Sequence, residues 1–543
     1  MRGKNLMCKT GLVTIGIAAL VISLIVGCTS GNGTPTPTLP AEMATEETHI
    51  GGTLRFGRSA DSPTLDPAYA TNEESIKVIN VLYDCLLQFD PETPEVKPGL
   101  AERWDVSADE LTWTFYLREN VKFHDGTDVN AEAIKFNFDR MLDKEHPGYF
   151  GKSSFGKFLF GAIEEVKVID SYTVQIVLSK KYAPLQYALP VFAGSIASPA
   201  AIQKYGEDFA QHPVGSGPFK LVSWTPDEEI VLEANEDYWG GRPAIDRLVF
   251  VVVPDNRERL AALEQGDLDM MDGLEPADIS TVMADESLVL YKKPGMSVGY
   301  MGLNTQMEPF SNPQVRQAIN FALNKPRIIH EVFSDAALES IGPLPPGSWG
   351  YDASLRQYDY DPAKAETLLA EAGYPDGFET TLFLSTISRP YDPNPLGLAE
   401  AVQRDLAEVG IEVEIKAFDT WPEYNTAIDA DEAPMFLLGW SGGPPDPYFY
   451  LNPLLSTPMV AANLNDANYS NPQVDELLTA AAETMDRSVR RRLYVEAQRI
   501  IIDDAPWAFM NHMMYMVVTS SRVQGFKLHA TSLLKLGGVY LTE

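Results

Sequence analysis

Three helices in this 543-residue chain begin the same way, on an acid or amide side chain followed at once by proline: Asn312-Pro313, Asp361-Pro362 and Asn471-Pro472. The side-chain oxygen accepts an orphan N–H of the first turn, and proline fills the one helical position where a missing N–H costs nothing. The helical runs "QVRQAINFAL", "AKAETLLAEAG" (closed by Gly373) and "QVDELLTAAAETMD" follow these starts, and the strand-like runs "RLVFVVV", "IEVEIKAF" and "APMFLLGW" lie between helical stretches. That alternation restricts the chain to an α/β architecture. Nearer the N-terminus, "LTWTFYLRENVKF" puts Leu111, Trp113, Phe115 and Leu117 on one side, predicting a half-buried hairpin that returns through Val121-Lys122-Phe123. "NAEAIKFNFDRML" then changes to a helical period behind an Asn130 cap. The length exceeds what one hydrophobic core supports, so at least two lobes are expected.

The N-terminus carries an address. "MRGKNLMCKT" has Arg2, Lys4 and Lys9 and no acid, and an apolar run follows that stops at Cys28. This is the pattern of an export signal, and the run is short for a spanning helix, which needs about 20 apolar residues. Removing residues 1–27 takes away three basic residues and no acid, leaving the chain more negative still than its formal −34. Such a charge excludes nucleic acid as a partner, because a phosphate backbone requires a basic face. It suits a soluble protein outside the cytoplasm. Residues 28–50, rich in Thr, Pro, Gly and acids, read as a flexible tether. Cys85, in the apolar "VLYDCLLQF", reads as an inert packed thiol.

Gly439-Trp440-Ser441-Gly442-Gly443 fits the G-x-S-x-G pattern of a serine hydrolase. That motif needs a helix directly behind the serine, and Pro444, Pro445 and Pro447 occupy the place where its first turns would run. His512, a formal partner, lies in the apolar "WAFMNHMMYMVV". The seven histidines include no H-x-x-x-H spacing, there is no C-x-x-C pair, and no G-x-x-x-x-G-K-[ST] phosphate loop occurs. No enzyme, metal site or cofactor is expected; binding remains.

Ordered stretches over nearly the whole chain resemble one family. They include "PGLAERWDVSADELTWTFYLRENVKFHDGTDVNAEAIKFNFDRM", "HPVGSGPFKLVSW", "YMGLNTQMEPFSNPQVRQAINFALNK" and "YDPAKAETLLAEAGYPDG". The family is that of the extracellular solute-binding proteins of family 5, the oligopeptide-, dipeptide- and nickel-binding components of ABC importers. The segment Leu24-Ile25-Val26-Gly27-Cys28 resembles a lipobox, which implies cleavage before Cys28 and lipid on its thiol. The resemblance implies a type II periplasmic-binding-protein fold: two hinged lobes with a subdomain inserted in the first. On that basis lobe I takes residues 51–82, 206–298 and 505–543, the insertion 83–205, and lobe II 299–504. The protein is expected to act as a monomer, held to the outer face of the cytoplasmic membrane or in the periplasm by lipid. It would deliver a solute to permease subunits driven by a separate cytoplasmic ATPase.

The resemblance also suggests a site. In peptide-binding relatives one pocket tryptophan precedes a second by 19 residues, and an aspartate three residues after the second holds the peptide ammonium. Trp421 and Trp440 keep that spacing, with core packing as their alternative role, whereas position 443 is glycine. Either Asp446 replaces the missing carboxylate, or the ligand has no amine; Gly442 and Gly443 would then offer backbone to a neutral oligosaccharide. Tyr69, Thr71 and Asn72 match a segment that bonds an extended peptide by strand addition. Tyr300, Asn304 and Tyr448 complete the expected cleft lining, each with a packing or surface role as the alternative.

Overall fold

The computed structural model describes residues 51–441, 443–529, 531 and 533–542. The signal segment, Cys28, the tether and Gly442 lie outside them. Among the described residues no helix is long and apolar enough to cross a membrane.

A 12-stranded mixed sheet runs through both halves of the molecule. On one side lie Ile411–Phe418, Phe378–Ser385, Met435–Trp440 and Val298–Leu303; on the other lie Met270–Asp272, Thr53–Arg58, Arg247–Val252, Glu229–Ala234 and Phe219–Thr225. The long strand Trp507–Ser520 joins them. Its first residues pair with Val298–Leu303, and Met514–Ser520 pair with Leu288–Pro294. The chain therefore passes between halves inside this strand and again at Gly295-Met296-Ser297. A boundary at residue 505 falls too early, because Trp507 to Asn511 hydrogen-bond into the second half.

The hinge is well tied. Gly295 N donates to Met513 O at 2.9 Å, and Met513 N donates to Ser297 Oγ at 3.1 Å. His512 Nδ1 meets Ser297 O at 2.9 Å, its ring is fully buried, and burial lowers its pKa to about 4. That histidine is structural. The neighbouring strand Val298–Leu303 is buried along its whole length. Gly302 is required there because a Cβ would lie 2.1 Å from the Phe436 ring.

A separate antiparallel sheet of four strands, in the order Ala101–Val106, Thr112–Leu117, Thr173–Leu178, Ile163–Asp170, occupies the inserted region. Trp113, Phe115 and Leu117 are buried and their neighbours half-buried, as the period of two requires. The partner strands differ from the expected hairpin. Thr112–Leu117 pairs with Ala101–Val106 and Thr173–Leu178, while Val121–Phe123 closes its own small loop. Asn120 turns the chain at φ 64°, Val129 N then donates to Val121 O, and Phe123 N donates to Thr127 O.

The helix starts form as the sequence requires. Asn312, Asp361 and Asn471 each accept a first-turn N–H with proline behind them, and Asn130 accepts from Ala133 N.

Candidate functional site

Between the halves lies a small cavity of about 70 Å³. One wall is the first helix, Glu73–Leu82, through Glu73, Ile76 and Lys77; the facing wall is Gly443 and Pro444. Phe89 and Phe192 close it laterally. The lining is mostly apolar with few polar groups, the character of a small-molecule site, although the space is well below the usual volume of one.

The loop after Trp440 is held by its prolines and by bonds beneath it. Ser348 Oγ and Trp349 N both donate to Pro445 O, at 3.0 and 3.2 Å. No helix starts behind Ser441; the next begins at Tyr448.

Asp446 does not face the cavity as a free carboxylate. It is fully buried, and the Arg490 guanidinium spans its two oxygens at 2.9 and 2.8 Å. Tyr448 N adds a bond at 3.0 Å. Burial pushes this carboxyl up and Arg490 pulls it back. The expectation that Asp446 replaces a ligand-binding acid fails because its charge is already satisfied inside the second half.

Trp440 and Trp421 have separate partners. The Trp440 ring lies 6.1 Å from Phe158 of the inserted region, and its Nε1 is buried without a partner among the described residues. Trp421 begins the helix Trp421–Asp429, and the Arg389 guanidinium stands 3.7 Å from its ring centre. Arg389 Nε is likewise buried and unpartnered. Tyr448 meets Tyr182 of the inserted region edge to face at 5.3 Å, and Tyr182 Oη is a third buried group without a partner. Ala183 N donates to Ala482 O at 2.8 Å, so this rim joins the insertion to the second half.

The remaining expected residues serve the fold. Tyr300 is buried and stacks on Trp507 at 3.8 Å, which makes it core. Asn304 is buried and accepts from Gln306 N at 3.1 Å. Asn72 caps the first helix by accepting from Ser75 N, and Thr71 beside it is exposed. Tyr69 Oη accepts from Phe150 N at 2.7 Å. Glu73 and Arg389, by contrast, gave no sequence signal, since neither belongs to a motif or a distinctive spacing. Cys85 is inert: burial pushes its thiol up to about 12.

Two α/β halves joined by strands, with a cavity lined by both of them, define a hinged binding protein. Residues 95–460 match the bacterial extracellular solute-binding proteins, family 5 Middle. The chain belongs to that family, and it is a binding protein of transport systems, not an enzyme. It is 33% identical over 534 residues to "Heme-binding protein A" of Haemophilus influenzae, covering 95% of this chain and 96% of that one. It is 36% identical over 466 residues to the "Dipeptide-binding protein" of Escherichia coli, covering 82% and 86%. Among solved structures, the periplasmic binding protein DppA of Helicobacter pylori in complex with the peptide STSA superimposes with a TM-score of 0.77. That match has 34% identity and covers 91% of this chain and 99% of that one. The type II periplasmic-binding-protein fold is thereby established.

Proposed function

We propose that this chain is an exported lipoprotein, lipidated at Cys28, that captures a peptide or peptide-like solute and hands it to the permease of an ABC importer. The observation that carries the reading is a cavity lined by residues of both halves, reached on the second half by Gly443 and Pro444 of the loop after Trp440. Trp440 Nε1, Tyr182 Oη and Arg389 Nε do not line that cavity but are buried without a partner among the described residues, and since buried polar groups are normally satisfied they favour a polar guest. The relatives named for dipeptides, and the one solved with a bound peptide, support the same class. An oligosaccharide would need an open indole face, and that of Trp421 already carries Arg389.

Native mass spectrometry of the protein starting after Cys28, purified without denaturation, tests the cargo. Co-purified peptides are the expected result. A sugar in their place, or a Soret absorption band from haem, overturns it. Metabolic labelling with a palmitate analogue tests the anchor, and Cys28→Ala should abolish the label.

A further inference from the structure

Residues 154–188 of the inserted region grip the second half at three places. Phe158, on the short helix Ser154–Phe160, stands 6.1 Å from the Trp440 ring and 5.9 Å from that of Phe449. Tyr182 packs edge-on against Tyr448, and the next residue, Ala183, donates its N–H to Ala482 O at 2.8 Å. Tyr187, on the single turn Leu185–Ala188, lies 6.0 Å from Trp349. The second half holds that tryptophan against Tyr494 at 5.7 Å and under the Arg490 guanidinium at 5.2 Å. Tyr182, Ala183 and Tyr187 are all buried.

The backbone bond completes a helix. Ala482 is the last residue of Pro472–Ala482, where carbonyls run out of partners within the helix. Thr479 O accepts from Glu483 N, Ala481 O accepts from Arg490 Nε at 2.8 Å, and Ala482 O is met by the insertion. Ala482 is itself buried, so its carbonyl would be costly without that donor. Pro184 narrows the conformations open to Ala183 and presents the N–H at little entropic cost. Every partner in these contacts is a protein group, and Phe158, Tyr182, Ala183 and Tyr187 do not line the cavity. Their contact energy is therefore indifferent to the chemistry of the guest.

We propose that residues 154–188 form a clasp that holds the halves together whatever solute is present, so that the insertion sets the balance between open and closed forms while the cavity sets selectivity. This rests on the hinged-binding class and not on the identity of the cargo. Apparent affinity is the affinity of the closed form scaled by the fraction closed. Weakening the clasp lowers every affinity by one factor, whereas changing a group that touches the solute alters the ratio between solutes.

Small-angle X-ray scattering on protein shown free of solute by native mass spectrometry tests this. The wild-type curve should already be that of the structure. Tyr187→Leu, and Trp349→Leu on the receiving side, should each lower the closed-to-open ratio by about three- to tenfold and expand the particle. Thermal unfolding checks that both variants are folded. Ala183→Cys with Ala482→Cys, oxidised to a disulfide in the Tyr187→Leu background, should restore the wild-type curve; Cys85 does not interfere, because burial keeps its thiol inert. A wild type that is expanded until solute is added overturns the clasp. So do folded variants that scatter as wild type, or an expansion that the disulfide leaves in place. Isothermal titration with leucylalanine and its amide should show both affinities falling by the same factor in Tyr187→Leu, and a changed ratio would put Tyr187 on the solute instead. Wild type binding neither probe removes the peptide reading and leaves the scattering to decide the clasp.

Discussion

The two walls of the cleft handle charge in opposite ways. The second-half wall keeps its acid to itself: Asp446 and Arg490 form a buried pair beside Tyr494, and only Gly443 and Pro444 reach the cavity. On the first half Lys77 is held by Glu74 and Asp272, with the buried Arg58 and Arg259 beside the same two acids, and Glu73 in the first turn of the helix is exposed. An acid near a binding tryptophan is thus available to a ligand only if nothing within the fold has already claimed it. Pairing decides, not proximity in sequence.

Asp446→Asn is the strongest way to break this contrast. It leaves Arg490 buried without a counter-charge and should lower unfolding stability by about 3–5 kcal/mol in urea denaturation. Peptide affinity of the folded fraction should stay unchanged. Normal stability with weakened binding would place Asp446 in the site after all and dissolve the distinction between the walls.

Asp392 tests the same rule with the opposite sign. It lies in the loop that carries Arg389, is buried, accepts only one side-chain bond among the described residues, from Asn394 N at 3.3 Å, and its carboxyl is pushed up to about 7 by burial. Because the folded value lies above the unfolded one, ionising this group costs stability. Below about pH 4 both states are protonated and the cost is absent; it grows up to about pH 7 and is complete above. Asp392→Asn should therefore match wild type in acid and exceed it increasingly through that window, by up to about 4 kcal/mol before local relaxation. Denaturation midpoints at about pH 4, 6 and 8 check this, and a flat difference would mean that a partner already compensates Asp392.

The sequence made the scaffold legible because its signals are local or periodic. Asn312, Asp361 and Asn471 cap helices a few atoms away, and Trp113, Phe115 and Leu117 alternate because a strand does. The site was less legible because its chemistry depends on long-range pairings. Arg490 lies 44 residues from Asp446, and no spacing rule connects them. Tyr300 looked like a cleft residue until Trp507 stacked on it from the joining strand. Val121–Phe123 had the hydrophobicity of a returning strand, yet Thr112–Leu117 had found better partners elsewhere.

Arg389 offers the finest test of how the second-half wall contributes. If that wall provides no carboxylate, its contribution to a zwitterionic guest should be a cation, and the cation to test is Arg389, which does not line the cavity as it stands but has Nε buried and unpartnered among the described residues and its guanidinium over Trp421. A charge-assisted bond to a peptide carboxylate is worth about 1.5–3 kcal/mol, or roughly 10- to 150-fold. Wild type should therefore favour a free C-terminus over its amide by that factor, and Arg389→Gln should remove the preference while leaving the affinity for the amide nearly intact. Trp421 emission reports the packing separately, because the cation leaves the ring in the same variant. If emission changes and the carboxylate preference persists, Arg389 only covers the indole.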